Sequence, residues 1–405
     1  MNTRTDIIIV GGGMVGLSAG TALIKAGFSV VLLDAAPPPP AFDAGNEYTL
    51  RVSAIAPATA RFLQALDVWP AILDTRAKAY EHMTVWDADS SGELNFDRLD
   101  IGADALGHIV ENALIADQLR QQFVACGGVL KHDSKIAGMT PRERSVTVDL
   151  DCGSKLRADL LVGADGAGST VRQLAAIETK QHGYQQRGLV TMVETELGHD
   201  NTAWQRFLPG GPIAFLPLSG RRCSIVWSLP EDRIETIMAL DDKALGNALT
   251  QASDARLGTI SVASQRAAFP LQYQVADRFI ADRCVLIGDA AHVVHPLAGL
   301  GANLGFADAA LLHDVLVSAK ELGRDIAEPT TLRRFERPRR SEVAMTSRFV
   351  DQINHLFRAQ HPLLRNLRGL GLSLTSNLSP LRALFAAHAA GLASDQPTLM
   401  RPHRV

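Results

Sequence analysis

At 405 residues and 46% hydrophobic content, the chain can fill two cores and is too long for one compact unit. A net charge of −3 offers no field for a polyanion, so no nucleic-acid partner is expected. Four cysteines, Cys126, Cys152, Cys223 and Cys284, lie too far apart for a CxxC metal or redox pair, and no stretch reaches the roughly 18 apolar residues of a membrane span. Asp6–Val10 predicts a strand, Met14–Ala26 a helix and Ser29–Asp34 a second strand, with Gly27 placed as the helix C-cap. The short apolar run Ile7–Val10, closed by three glycines, reads as a buried strand rather than a signal peptide. These features predict a cytoplasmic protein, free or peripheral at the inner face of the membrane. Pro37–Pro40 must run extended. Pro57–Leu66 predicts a helix, His82–Asp87 and Glu93–Phe96 strands, and Asn112–Ala125 an amphipathic helix with Ile115, Leu119 and Phe123 on one face. Short strands follow from Val129 to Val162. The segment 178–275 carries short apolar runs that predict a sheet, and Arg283–Gly288 returns to a buried strand before a long helix from about Ala302. One nucleotide-binding unit is thus interrupted by a β-rich insertion.

Three motifs carry the chemistry. Gly11-x-Gly13-x-x-Gly16 follows a strand, opens a helix and is followed by Asp34 at the end of the next strand. The three glycines serve the tight turn, the approach of a pyrophosphate and close helix–strand packing, and the acid accepts from ribose hydroxyls. The alternative GxSxG reading, Gly16–Gly20, fails because Ser18 lies a full turn inside the helix instead of on the strand-to-helix turn. Gly163-Ala164-Asp165-Gly166 and Gly288-Asp289-Ala290-Ala291-His292 each follow an apolar strand. Each aspartate alone could equally be a structural cap or a ligand group at the sheet's C-terminal edge. His292 and His295, three apart, lack the acid or cysteine set of a metal site, and no metal is expected.

Taken together, the order of these motifs resembles that of the FAD-dependent aromatic hydroxylases related to p-hydroxybenzoate hydroxylase. His295–Gly305, Leu50–Ile55, Val110-Glu111-Asn112 and Gln265-x-x-x-Phe269-x-Leu271 are similar to the ubiquinone-biosynthesis hydroxylases within that group, and the resemblance runs from residue 7 to about 310. It implies an α/β fold: a Rossmann-like FAD-binding domain interrupted by a β-sheet substrate domain, with C-terminal helices. The expected segments are 1–75, 111–177 and 276–330 for FAD, 76–110 with strands partly in the substrate domain, 178–275 for that domain, and 331–405 for the helical region.

The resemblance further implies that Gly11, Gly13, Gly16, Asp34, Arg51, Asn112, Asp165, Gly166, Gly288, Asp289, Gly299, Gly301, Ala302 and Asn303 bind the cofactor. Asp289 would contact the ribityl chain, and Gly299 to Asn303 would form the turn beside the flavin ring. This chain has Leu300 where the family has glutamine, and Ala302 where it has a bulky apolar residue. The implied reaction is ring hydroxylation by O2 through a flavin C4a-hydroperoxide. With only one dinucleotide fingerprint present, NAD(P)H would bind transiently as reductant, without a domain of its own, or another electron donor is used. The expected substrate is a polyprenylated phenol of ubiquinone biosynthesis, with other proteins of that pathway as partners. The alternatives are a small soluble phenol or aromatic acid as substrate, and a non-catalytic flavoprotein. Trp227-Ser228-Leu229-Pro230 is similar to part of a halogenase motif but lacks its first tryptophan and isoleucine, so Trp227 is read as core or pocket wall. No residue is singled out as a catalytic base.

The C-terminal stretch from Thr331 to Val405 carries twelve arginines and four acids, net +8 in a chain of net −3. Phe349, Ile353, Leu356 and Phe357, then Leu363, Leu364, Leu367 and Leu370, recur at helical spacing with Arg358, Arg365 and Arg368 between them. Such a stripe either packs on the FAD domain or lies on an anionic membrane surface.

Overall fold

The structure, a computed structural model, describes residues 4–90, 92–294, 300–358 and 396–402, with the side chains of 300, 350 and 353–358 outside it. Gly299, His295 and the leucine stripe from Leu363 to Leu370 therefore lie outside the described residues. The fold is α/β and Rossmann-like. Its first sheet has eight strands, and five of them run parallel in the spatial order Cys284–Leu286, Lys155–Gly163, Arg4–Val10, Val30–Leu33 and Val129–Lys131. Such strands are covered on both faces, which is why Ile7, Ile8, Ile9, Leu160, Leu161 and Val162 are all fully buried and read as unbroken apolar runs. The helix Met14–Lys25 crosses this sheet and packs on Asn112–Ala125 and Leu300–Glu321. A Cβ on Gly20 would sit 2.7 Å from the Phe123 ring, so a glycine at this crossing sets the distance between two helices.

A second sheet of nine strands is mostly antiparallel. Its middle runs Ala267–Ala276, Thr179–Thr195, Arg222–Pro230, Gly211–Pro217, Thr202–Leu208, His82–Asp87 and Glu93–Asp97. The strand His82–Asp87 joins parallel to Thr202–Leu208, so residues from the first hundred complete a sheet built from the chain's middle. The back of this sheet carries two helices that the β-rich reading of 178–275 did not anticipate, Glu231–Met238 and Asp242–Ala252. Asp241 caps the second by accepting from the Ala244 amide at 2.7 Å. Ile234, Leu245 and Leu249 pack there against Ile213, Phe215, Ile225, Trp227 and Leu229, a second core separate from that of the parallel sheet. Burying each large aliphatic side chain is worth roughly 1.5–3 kcal/mol. A further helix, Trp69–Arg76, follows Pro57–Ala65 and was likewise not foreseen.

Two features bring the layers to one place. The strand His292–Val293 pairs with Ala267–Ala276, so the chain leaves the parallel sheet at Leu286 and enters the second sheet at His292. Between them lies the turn Gly288–Ala290. A three-stranded sheet of Val52–Ile55, Gly107–Glu111 and Lys78–Tyr80 fills the corner between the two. No helix among the described residues is long and apolar enough to cross a membrane.

Candidate active site

The strands Arg4–Val10, Lys155–Gly163 and Cys284–Leu286 are parallel neighbours, so their C-terminal ends share one edge. Gly11, Ala164 and Ile287, the residues just past them, are tied across it: Ala164 N–H donates to Val10 O at 2.8 Å and Ile287 N–H to Gly163 O at 2.9 Å. Motifs more than a hundred residues apart in sequence thereby meet. Gly11 holds φ +113°, and a Cβ there would lie 2.2 Å from Ala164 O, so this glycine makes the junction of two strands possible. A Cβ on Gly16 would sit 2.0 Å from Gly11 O. Gly13 is different. Its φ of −76° suits any residue, and a Cβ there meets nothing within 4 Å. It is the N-cap of Met14–Lys25, and among the described residues no side chain caps that helix end. Unpartnered amides, the positive end of a 12-residue helix dipole and open space suit a pyrophosphate. Asp34 ends its strand half-buried, accepts from Ala36 N–H at 3.0 Å, and stands where a Gly12 Cβ would collide with it at 2.2 Å. Gly12 is thus a fourth motif glycine with a steric reason of its own.

Asp165 takes the capping role. Its Oδ1 accepts from Ser169 Oγ at 2.5 Å and its Oδ2 from Val171 N–H at 3.1 Å, which ties both oxygens to the start of the helix Thr170–Leu174. The carboxylate expected to reach the cofactor is thus engaged by the protein's own donors, and a contact with the cofactor would use the lone pairs that these bonds leave. Gly166, at φ +80° with open space around its Cβ position, lines the cavity together with Ala164 of the same motif.

From this edge a cavity of about 530 Å3 opens toward the face of the second sheet. One wall is formed by Gly13, Ala164, Gly166, Asp289, Arg51, Asn112, Gly301, Ala302 and Asn303. Arg51 and Asn112 are sequence-distant but face each other because Val52 pairs with Glu111 in the antiparallel ladder, and Asn112 N–H donates to Arg51 O at 3.0 Å. Asn112 Oδ1 accepts from Ser53 at 2.7 Å. The Asn303 side chain is used within the scaffold. It accepts from Ala56 N–H and Thr59 Oγ1 at 3.0 and 2.8 Å and donates to Ala54 O at 2.8 Å, which anchors the start of Leu300–Glu321. Its contribution to the cavity is therefore positional. The opposite wall is the sheet face: Val190, Ala203, Gln205, Pro212, Ala214, Leu216, Ser224, Val226, Ser228 and Phe269. Trp227 faces away, into the second core.

Asp289 is reached by water through the cavity, while protein on its other sides strips much of its hydration. That desolvation pushes its carboxyl above the ordinary value, against the pull of His292 and Arg51. Beneath it lies a buried group that the sequence reading missed. Asp308, fully buried, accepts at Oδ2 from Gly288 N–H at 2.8 Å and from His292 Nε2 at 2.7 Å, and at Oδ1 from Arg339 Nε. Arg339 also reaches Leu304 O at 3.0 Å and Glu342. Burial alone would raise the Asp308 carboxyl; the charges and hydrogen bonds of His292, Arg339 and the Gly288 amide outweigh it and hold it low. The signal was present as a lone carboxylate in the apolar run Leu304–Leu312, which burial forces to find partners. His292 is thus structural. The described residues hold no cluster of three or more metal-ligating side chains.

The profile of the family described as FAD binding domain matches residues 4–349. The chain is 33% identical over 392 residues to a 3-demethoxyubiquinol 3-hydroxylase of Escherichia coli, covering 96% of this chain and 100% of the relative. It is 35% identical over 404 residues to a ubiquinone hydroxylase of Rhodospirillum rubrum, covering 98% and 92%. Among solved structures, a p-nitrophenol 4-monooxygenase of Pseudomonas putida superposes with a TM-score of 0.80 at 19% identity over the full length of both chains, a likeness of fold.

Proposed function

Because the chain belongs to the FAD-binding-domain family, as an FAD-dependent aromatic monooxygenase, we propose that it hydroxylates the ring of a neutral, prenylated phenol in ubiquinone biosynthesis. The relatives' names supply the pathway, and one observation in the cavity carries the choice of substrate. Among the described lining residues the only charged side chains are Arg51 and Asp289, both on the cofactor wall. The sheet wall offers none. An aromatic carboxylate buried there would lack a cation, which costs several kcal/mol, whereas a phenol needs only a hydrogen bond.

The bare helix end at Gly13, the open space over Gly13 and Gly166, and Asp289 at the joint of two sheets are the residues that would hold FAD. When bound, FAD supplies oxygen activation after reduction, with NAD(P)H as the reductant. The chain's own work is to hold the ring between its two walls and to keep water out. The apolar sheet face of Val190, Ala214, Val226 and Phe269 does both. No described carboxylate or histidine lines the sheet wall, so no side-chain base is placed beside a ring seated on it.

Oxygen uptake by the purified flavoprotein with NADH tests this reading. A farnesylated phenol should stimulate uptake and gain one oxygen by mass, and 4-hydroxybenzoate should do neither. Stimulation by the carboxylate alone would transfer the assignment to a small aromatic acid. Uptake that no phenol alters would point to a non-catalytic flavoprotein.

A further inference from the structure

On the sheet wall one polar side chain stands out. Gln205 lies in the strand Thr202–Leu208, is 6% exposed and lines the cavity. Its neighbours along the ladders are apolar: Val85 on one side, then Ala214, Val226 and Val190 on the other. Among the described residues nothing hydrogen-bonds its side-chain amide, although amides so buried are almost always paired. The alternation of the strand gives the reason for its direction. Trp204 and Arg206 turn toward the helices behind the sheet, where Arg206 donates to Gln251 O and Ala252 O at 3.1 Å, so Gln205 must face the cavity. A second polar atom on the same wall, Ser224 Oγ, is fully buried and also lacks a partner among the described residues.

We propose that Gln205 is a specificity-determining residue, whose amide hydrogen-bonds a ring oxygen of the substrate and sets which edge of the ring faces the cofactor wall. The proposal rests on the phenol reading above and narrows it. An amide carries both a donor and an acceptor, which matches a hydroxyl or alkoxy oxygen on a neutral ring and does not match a bare hydrocarbon or an anion needing a cation. A site that hydrogen-bonds a substrate oxygen discriminates strongly against the analogue lacking it, because the amide is then left unpaired. Ser224 offers the same wall a second contact for a ring with more than one oxygen.

Two matched probes test this on the FAD-loaded enzyme: a farnesylated phenol and the farnesylated benzene without the hydroxyl. Their binding is read as a change in flavin absorbance. The wild-type protein is expected to prefer the phenol by about tenfold or more. Gln205→Met, of similar length, should bring that ratio close to one through lost phenol affinity, with hydrocarbon binding and flavin content unchanged. Gln205→Leu serves where the methionine variant does not fold. A variant that keeps the wild-type ratio overturns the proposal, as does a wild-type protein that binds both probes equally. Selective binding without hydroxylation by the wild type would instead overturn the enzymatic reading and leave the role of Gln205 standing.

Discussion

Two glycines of one motif are there for different reasons, and a side chain at each should separate them. Gly16→Val drives a Cβ into Gly11 O and should destabilise the fold, lowering the thermal midpoint even of apoprotein. Gly13→Val finds room, so the chain should fold with a near wild-type midpoint while purifying largely without flavin. Full flavin occupancy in the folded Gly13→Val protein would show that the helix end is not the phosphate site. Asp289 is the carboxylate at the joint of the sheets, and charge-assisted hydrogen bonds donated to it are worth roughly 1.5–3 kcal/mol. Asp289→Ala should weaken FAD binding by about tenfold or more, read as flavin released on dilution, with stability little changed. Asp308 gives the opposite pattern. Its removal leaves Arg339, 2% exposed, with Glu342 and Leu304 O as its partners among the described residues, and breaking such a buried pair costs about 3 kcal/mol or more. Because the folded protein holds the Asp308 carboxyl below its ordinary value, this contribution is present above the ordinary carboxylate range and is lost as pH falls through it toward the folded value. The gap in urea midpoint between wild type and Asp308→Asn should therefore narrow on acidification. A gap that widened would contradict the assigned direction.

At the scale of elements, the helix ends around the cavity divide by what satisfies them. Thr170–Leu174 is closed by Ser169, whose hydroxyl accepts from Arg172 N–H at 3.0 Å and donates to Asp165. Ser169→Ala should cost about 1 kcal/mol, typical of a lost N-cap, seen as a lower denaturation midpoint with flavin retained. A large loss of flavin instead would mean that Asp165 serves the cofactor more directly than its hydrogen bonds indicate. Among the described residues Met14–Lys25 has no such cap, and its first amides are what this element would offer a bound phosphate. The helix Leu300–Glu321 is fixed at its start by Asn303 and one turn further by Asp308, so its first residues are held against both the corner sheet and the Gly288 turn. The ladders act in the same way on the substrate side: one register error in Thr202–Leu208 would bury Arg206 in the cavity and send Gln205 to the back.

For the whole molecule, the cavity lies where two sheets and the three-stranded corner sheet meet. On the proposed reading its occupants would come from different phases, a prenylated ring from a bilayer and NAD(P)H from water. The net charge of +8 from Thr331 to Val405, with apolar residues at helical spacing among its arginines, suits an anionic surface at which such a ring is collected. FAD-loaded protein should float with anionic liposomes at low salt and be released at high salt, because exposed charges are screened. Absence of flotation at low salt would favour packing of the stripe on protein, with substrate brought by another carrier.

Much of this was legible beforehand because it is local. A βαβ unit is contiguous, so the Gly11–Gly16 fingerprint, its helix and Asp34 can be read from spacing, and apolar runs such as Ile7–Val10 announce a parallel sheet. Family resemblance added Arg51, Asn112 and Asp289, which do meet at one wall. What could not be read locally depended on partners far along the chain. That Asp165 caps a helix turned on where Ser169 and Val171 point, and Asn303 became a brace only because Ala54, Ala56 and Thr59 fold beside it. Asp308 and Arg339 find each other across 31 residues and two helices. Gln205 is an ordinary polar residue in an ordinary strand until sheet pairing lays Ala214, Val226 and Val190 beside it and closes a cavity over it. Periodicity in the chain sets which side of an element is buried; only packing decides what each buried polar group is left facing.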